Sequence, residues 1–258
     1  MNRRRFLRTG LLGGGSALLS GCQILDGLMD TNNATRRFME KANRLTMVTQ
    51  RSLIGPDALA PEFTRADIRQ GQKPNGVIAP TDLEYQLLAA DGFRDYRLEV
   101  MGSVRQPLSL SLDQLRNMPI QTQITRHDCV EGWSCIAEWT GVPLARVLDM
   151  AGTYNTARYA VIHCMDTIEQ TLSGGVRYYE SIDMIDAWHP QTILAYGLNG
   201  ADLPERNGAP LRLRVERQLG YKMAKYIRAI ELTDSLSAYG RGKGGYWEDR
   251  GYEWYAGI

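Results

Sequence analysis

Cys129 lies in the run Arg126-His127-Asp128-Cys129-Val130-Glu131-Gly132-Trp133-Ser134, where a thiol, an imidazole and two carboxylates are spaced closely enough to share one site. A thiolate is a soft, strongly donating ligand, suited to a high-valent metal that takes further sulfur from another source. Reactions at an oxo–metal centre move protons together with electrons, so His127, Asp128 and Glu131 are candidates for proton delivery. A histidine beside an aspartate also reads as a hydrogen-bonded structural pair, and both readings of His127 and Asp128 stand at this point. Two glycine patterns lead nowhere. Gly13-Gly14-Gly15-Ser16 lacks the lysine of a phosphate loop, and Gly240-x-Gly242-x-x-Gly245 comes near the end of the chain with no βαβ unit to follow it.

The elements that must carry Cys129 are mostly strands. Alternating apolar residues predict a strand over 96–104, and further strands over 122–125, 159–164, 192–196, 211–215 and 226–232. Ser111 as N-cap with Leu112 and Leu115 as the buried pair predicts a short helix over 111–117, and others are expected over 144–151 and 182–187. Strands without regular alternation with helices indicate an α+β domain and exclude a doubly wound sheet. Upstream, residues 36–53 suit an amphipathic helix whose apolar positions are Phe38, Met39, Leu45 and Val48. The breakers Gly55-Pro56, Ala60-Pro61 and Lys73-Pro74-Asn75-Gly76 follow it, in a polar arm with no identifiable chemistry of its own.

Composition narrows the function class. In 258 residues, 43% are hydrophobic and 23% charged, an ordinary globular balance. The basic start Arg3-Arg4-Arg5-Phe6-Leu7-Arg8 and the uncharged stretch up to Leu19-Ser20-Gly21-Cys22 read as an export leader, too short and glycine-rich to span a bilayer. The paired arginines resemble a twin-arginine signal, used for proteins folded around a cofactor. Leu-Ser-Gly-Cys resembles a lipobox that would place a lipid anchor on Cys22, the alternative being that Cys22 is part of a cleaved soluble signal. Removing the four arginines turns the formal charge of +1 into about −3. No basic cluster points to nucleic acid. Cys129, Cys135 and Cys164 then remain in an oxidising compartment, an odd number that leaves at least one thiol outside any intramolecular disulfide. A Cys135–Cys164 bridge with an inert third cysteine is the bland alternative.

The cysteine loop is joined, in order, by Asn207-Gly208-Ala209-Pro210-Leu211-Arg212-Leu213 and by Gly220-Tyr221-Lys222-Met223-Ala224-Lys225-Tyr226-Ile227. Together they resemble the motifs of the sulfite-oxidase family of molybdopterin-binding oxidoreductases, most closely its exported bacterial branch, which includes periplasmic methionine-sulfoxide reductases. The resemblance covers roughly residues 60–258. It implies a sulfite-oxidase-type α+β domain of mixed sheets and short helices over residues 81–258, after a signal at 1–21 and a tether, helix and wrapping arm at 22–80. It implies Mo-molybdopterin as cofactor, with Cys129 as the metal ligand. Asn207, Arg212, Met223, Ala224 and Lys225 would contact the pterin and its phosphate, a role for which an arginine and a lysine are suited cations.

This chain departs from the branch in two places. Cys164 replaces a threonine near the cofactor, so it lies close to the metal site or merely fills core. Thr81-Asp82-Leu83-Glu84-Tyr85 replaces an asparagine-containing segment, which leaves Glu84 and Tyr85 as weak candidates for the pterin. The implied activity is reduction of a small S-oxide or N-oxide in the periplasm, with electrons from a membrane haem b partner. Sulfite-oxidase-like oxidation and a non-catalytic electron-transfer role are the alternatives.

Overall fold

The computed structural model describes residues 34–69, 71–172 and 174–258. The leader and Cys22 lie outside the described residues. Five helices and ten strands follow in chain order: α1 (Ala34–Ile54), α2 (Leu83–Ala90), β1 (Arg97–Gly102), β2 (Leu108–Ser111), α3 (Leu112–Arg116), β3 (Gln121–Cys129), β4 (Trp133–Pro143), α4 (Leu144–Ala151), β5 (Tyr159–Thr171), β6 (Gly174–Asp183), α5 (Met184–Ala187), β7 (Ile193–Leu198), β8 (Ala201–Asp202), β9 (Arg212–Arg214) and β10 (Ile227–Thr233).

The strands form two sheets. One has the order β2-β1-β10-β5-β6, with β1 and β10 parallel and the other pairs antiparallel. The other has the order β3-β4-β7-β8, with β9 also pairing β7. Leu98, Val100, Ile162 and Ile230 of the first sheet share one core with Val142, Leu194 and Leu213 of the second. This is the mixed α+β arrangement expected.

Local signals account for several elements. Ser111 caps α3 in a reciprocal box: its hydroxyl accepts from the Gln114 N–H at 3.1 Å, and the Gln114 side chain accepts from the Ser111 N–H at 2.8 Å. Helix α4 spans 144–151 as predicted and stops at Gly152, which takes the left-handed conformation at φ 64°. Strands β2, β4, β6 and β8 and helix α2 fall outside the predicted elements. In β4 the burial of Glu138, Trp139, Gly141 and Val142 breaks the clean alternation that marks a strand.

Helix α1 forms over almost the predicted span, but with its sides exchanged. Phe38, Met39, Leu45 and Val48 are exposed, and the body is gripped by polar side chains instead. Arg36 donates to the carbonyls of Gly251 and Tyr252 at 2.6 and 3.3 Å. Arg51 pairs with Asp183 and, at 3.1 Å, with Asp186.

Candidate active site

Cys129 is the last residue of β3 and stands opposite Trp133, the first of β4. Only Val130, Glu131 and Gly132 connect them. The Gly132 N–H returns to the Cys129 carbonyl at 3.0 Å, and Gly132 has φ 82°, so the connection is a three-residue hairpin turn that needs a left-handed residue in third place. Alternation along β3 buries Gln123, Thr125, His127 and Cys129 on one face. The thiol is thus pinned at a sheet end, next to solvent but not in it. Burial pushes the Cys129 thiol up, while a hydrogen bond from the Glu131 backbone and the charges of Lys73 and Arg212 act against this.

The same alternation separates His127 from Asp128. Asp128 turns outward to Arg126, 2.9 Å away. His127 turns inward, where Arg214 donates to Nδ1 at 3.0 Å. Arginine only donates, so the imidazole proton sits on Nε2. Burial first, and then Arg212, Arg214 and Lys225, hold His127 neutral, well below the usual histidine range. Its ring packs so closely on Gly220 that a Cβ there would come within 2.5 Å. His127 therefore lies beneath the hairpin rather than in the wall of a cavity.

That cavity, about 170 Å³, opens beside Cys129. It is lined by Val130 and Glu131 of the hairpin, by Met223, Ala224 and Lys225, and by the aromatic residues Tyr178, Tyr221, Trp247 and Tyr252. The Glu131 carboxylate is exposed and accepts from the Trp133 indole at 2.8 Å. Asp166 also lines the cavity. It falls where β5 and β6 shift register between His163 and Thr167, an irregularity of the kind that re-aims a side chain. Burial raises its carboxyl to about 6, opposed by Lys225, and one of its oxygens has no partner among the described residues.

Behind the cavity lies a cradle of buried cations. Arg212, fully enclosed, donates to the Asn207 carbonyl at 3.0 Å and to the Asn75 side chain at 3.2 Å. Burial and the neighbouring Arg214 lower it to about 9. Its guanidinium and that of Arg214 lie 5.1 and 4.3 Å from the buried Trp139 ring. Arg214 is matched by Glu216, whereas Arg212 forms no ion pair among the described residues. Lys225 donates to the carbonyl of Val77 and, at 3.4 Å, to that of Arg206. Burial first and Arg212 second bring it down to about 7.

The backbone adapts to hold this lysine. Tyr226 takes a left-handed φ of 53°, a conformation that costs roughly 1–3 kcal/mol outside glycine. Its hydroxyl donates to the same Val77 carbonyl at 2.9 Å. Gly208 leaves room for the Lys225 stem, which a Cβ would meet at 2.9 Å.

The candidates read from sequence therefore fall into three groups. Cys129, Glu131, Met223, Ala224 and Lys225 line one cavity. Asn207 and Arg212 are buried behind it, with the Asn207 amide nitrogen and Arg212 Nε lacking partners among the described residues. The rest lie apart. Tyr85 is buried with its ring edge-on to Tyr226, 5.1 Å between centroids. Glu84 is exposed and paired with Arg177 and Arg228, both at 3.1 Å. Cys164 sits in the core on β5, facing a different pocket. Cys129, Cys135 and Cys164 are all free thiols.

The arm that showed no chemistry in sequence supplies part of the site. Lys73 lies 4.9 Å from the Trp133 ring, and Asn75 and Val77 bind Arg212 and Lys225. Asp166, Tyr178 and Tyr252 were missed as well, because each reaches the cavity from a segment whose local pattern carries no sign of it.

A model of the oxidoreductase molybdopterin-binding domain matches residues 86–239, more than half of the chain. The chain belongs to this family. A relative from Azospira oryzae, "Putative protein-methionine-sulfoxide reductase subunit YedZ1", is 38% identical over 99% of this chain and 87% of its own length. The protein-methionine-sulfoxide reductase catalytic subunit MsrP of Xanthomonas campestris is 38% identical over 55% of this chain and 46% of its own. The crystal structure of the sulfane dehydrogenase SoxCD from Paracoccus pantotrophus matches with a TM-score of 0.48 at 25% identity, over 55% of this chain and 39% of that one.

The protein is thus a molybdopterin-dependent oxidoreductase, and its residues fit that cofactor. The cations Arg212 and Lys225, neither of which forms an ion pair among the described residues, and the Asn207 amide nitrogen, which has no partner among them, suit a polar, anionic group. Cys129 would bind the metal, with Asn207, Arg212 and Lys225 on the pterin and its phosphate. When bound, the cofactor supplies two-electron redox chemistry with oxygen-atom transfer. The chain's own part would be to hold the Cys129 thiolate at the hairpin and to neutralise the phosphate.

Proposed function

We propose that this protein reduces a small neutral S-oxide at the Cys129 cavity: the sulfoxide takes up two electrons and two protons and leaves as sulfide and water. The observation that carries the reading is the cavity itself, where one thiol shares the lining with Lys225 of the cation cradle and with Tyr178, Tyr221, Trp247 and Tyr252. Aromatic rings accommodate an apolar thioether, and sulfur favours their edges. Among the described residues no cationic side chain but Lys225 lines the cavity, and that lysine belongs to the cradle, so none of them on the substrate side is placed to orient a dianion such as sulfite. The two named relatives, both described as methionine-sulfoxide reductase subunits, support the same substrate class. Asp166, with its carboxyl near 6, is the group in the wall suited to hold a proton at Oδ1 for the departing oxygen.

Electrons reach such a protein from a partner, which we take to be a membrane haem b subunit, with export through the twin-arginine leader and an acylated Cys22 holding it at the periplasmic membrane. Replacing Arg3 and Arg4 with Lys should leave cofactor-loaded precursor in the cytoplasm. The direct test of the reaction is dye-linked turnover of purified holoenzyme. Sulfoxide reduction should exceed sulfite oxidation in kcat/KM; equal or faster sulfite oxidation would reverse the assignment, and cofactor-loaded protein with no turnover would make it an electron-transfer component.

A further inference from the structure

Helix α1 presents to solvent a face that helices of globular proteins usually bury. Phe38, Ala42, Leu45, Thr49 and Leu53 recur at spacings of three and four and so form one stripe. Phe38, Leu45 and Leu53 are 68%, 67% and 80% exposed. Met39 and Val48 flank them, also exposed. Scattered exposed apolar residues are ordinary, but a contiguous stripe marks an interaction surface. The opposite stripe is already used. Arg36, Asn43 and Gln50, seven residues apart, bond Gly251, Tyr252 and Tyr255, so the helix cannot roll its apolar side onto the body without breaking those bonds.

Charge indicates what covers the stripe. Lys41 and Arg44 are exposed at its edge. The helix contains one carboxylate, Glu40, which is turned away into ion pairs with Arg36 and Lys243. An apolar stripe bordered by cations, with no outward anion, is the pattern of a helix lying in the surface of an anionic bilayer. Its position along the chain agrees. Ala34 begins twelve residues after Cys22, so a lipid there could lie no more than about 40 Å away along an extended tether.

We infer that the outward face of α1 is a lipid-surface site, with Phe38, Leu45 and Leu53 among acyl chains and Lys41 and Arg44 on anionic headgroups. The inference rests on the proposed membrane location but not on acylation of Cys22. It also orients the enzyme. Arg36, on the opposite face of the helix, bonds the carbonyl of Tyr252, a residue that lines the catalytic cavity, so α1 lies between the bilayer and that part of the cavity.

The test uses the full cofactor-loaded chain with Cys22→Ser, which removes acylation. An environment-sensitive fluorophore is placed at Leu45→Cys or, as a control on the body, at exposed Arg94→Cys; the remaining thiols are buried. With phosphatidylethanolamine–phosphatidylglycerol vesicles, the Leu45 probe should shift to the blue and be quenched from within the membrane, while the Arg94 probe stays open to aqueous iodide. Phosphatidylcholine vesicles should give weaker binding. Phe38→Glu in the unlabelled chain should lower partitioning about tenfold without changing cofactor content or dye-linked turnover. Three results would overturn the inference: a Leu45 probe that iodide reaches equally with and without vesicles; protection that appears without vesicles and grows with protein concentration, which means a second copy covers the face; or binding that Phe38→Glu leaves unchanged, which assigns it to another segment. If no acyl chain is found on Cys22 in cells but the probe still enters the bilayer, the anchor reading fails and this one stands.

Discussion

Lys222 and Lys225 are three residues apart, both buried, and opposite in what surrounds them. Lys222 meets two carboxylates, Glu180 and Glu248, the latter at 2.6 Å. Burial alone would lower its ammonium, but the two carboxylates more than offset this and raise it. Burial and Glu248 in turn push Glu180 well above the usual carboxylate range. Lys225 forms no ion pair among the described residues: burial and the cation Arg212 outweigh the charge of Asp166 and bring it down to about 7. A buried charge matched inside the protein ties segments together; one left unmatched is destabilising until an anion arrives from outside. Here the matched lysine joins the C-terminal turn to β6, and the one without an ion pair lines the cavity beside Cys129.

The largest expected effect is at Cys129, the proposed metal ligand, rather than at either lysine. Cys129→Ser should fold and retain pterin, because the cradle is intact, while dye-linked turnover falls to background. Full activity would remove Cys129 as the essential ligand. Lys222→Met tests the matched side of the contrast. It leaves Glu180 and Glu248 buried without a cation, so we expect a loss of about 3–5 kcal/mol, read as a lowered urea or thermal midpoint of the cofactor-free protein. Lys225→Met should do the reverse, with cofactor-free stability unchanged or higher but pterin affinity about 10- to 100-fold lower, the usual range for losing one charged hydrogen bond. If the two variants behaved alike, the contrast would fail.

A pH titration sharpens the same point. Lys225 is lowered from 10.5 to about 7 on folding, so between those values the unfolded chain binds more protons and stability should rise with pH. The penalty is full below 7 and relieved by about 10.5. Cofactor-free wild type should show this slope relative to Lys225→Met, measured as midpoint against pH. Holoprotein should show it only weakly, since an anion keeps the lysine charged. The smallest effect is expected at Glu131. Its carboxylate is exposed and bonded to Trp133, so solvent screens it; Glu131→Gln should improve kcat/KM for sulfite by about threefold to tenfold and leave a neutral sulfoxide unchanged.

Several parts of this design were legible in sequence for local reasons. The capping box of α3 and the left-handed stop of α4 depend on residues within one turn. The cysteine loop and the later motifs containing Asn207, Arg212 and Lys225 could be recognised because each is a short contiguous run. Parting His127 from Asp128 follows from the pleat once β3 is known to be a strand. Strand β4 was hidden because it is buried on both faces.

The sequence by itself determined the chemical inventory: a lone thiolate beside carboxylates, the cationic motifs in their order, a strand-rich chain and an amphipathic helix. Tertiary structure alone decided which members of that inventory meet. Asn75 and Val77 reach Arg212 and Lys225 across 137 and 148 residues, and Glu180 reaches Lys222 across 42. Periodicity shows that α1 has two faces, but only the positions of Gly251, Tyr252 and Asp183 decide which is turned inward. The physical reason is range. Propensity and periodicity act over a few residues, whereas compensation of a buried charge depends on distances between groups far apart in the chain, and those exist only once the sheets have paired.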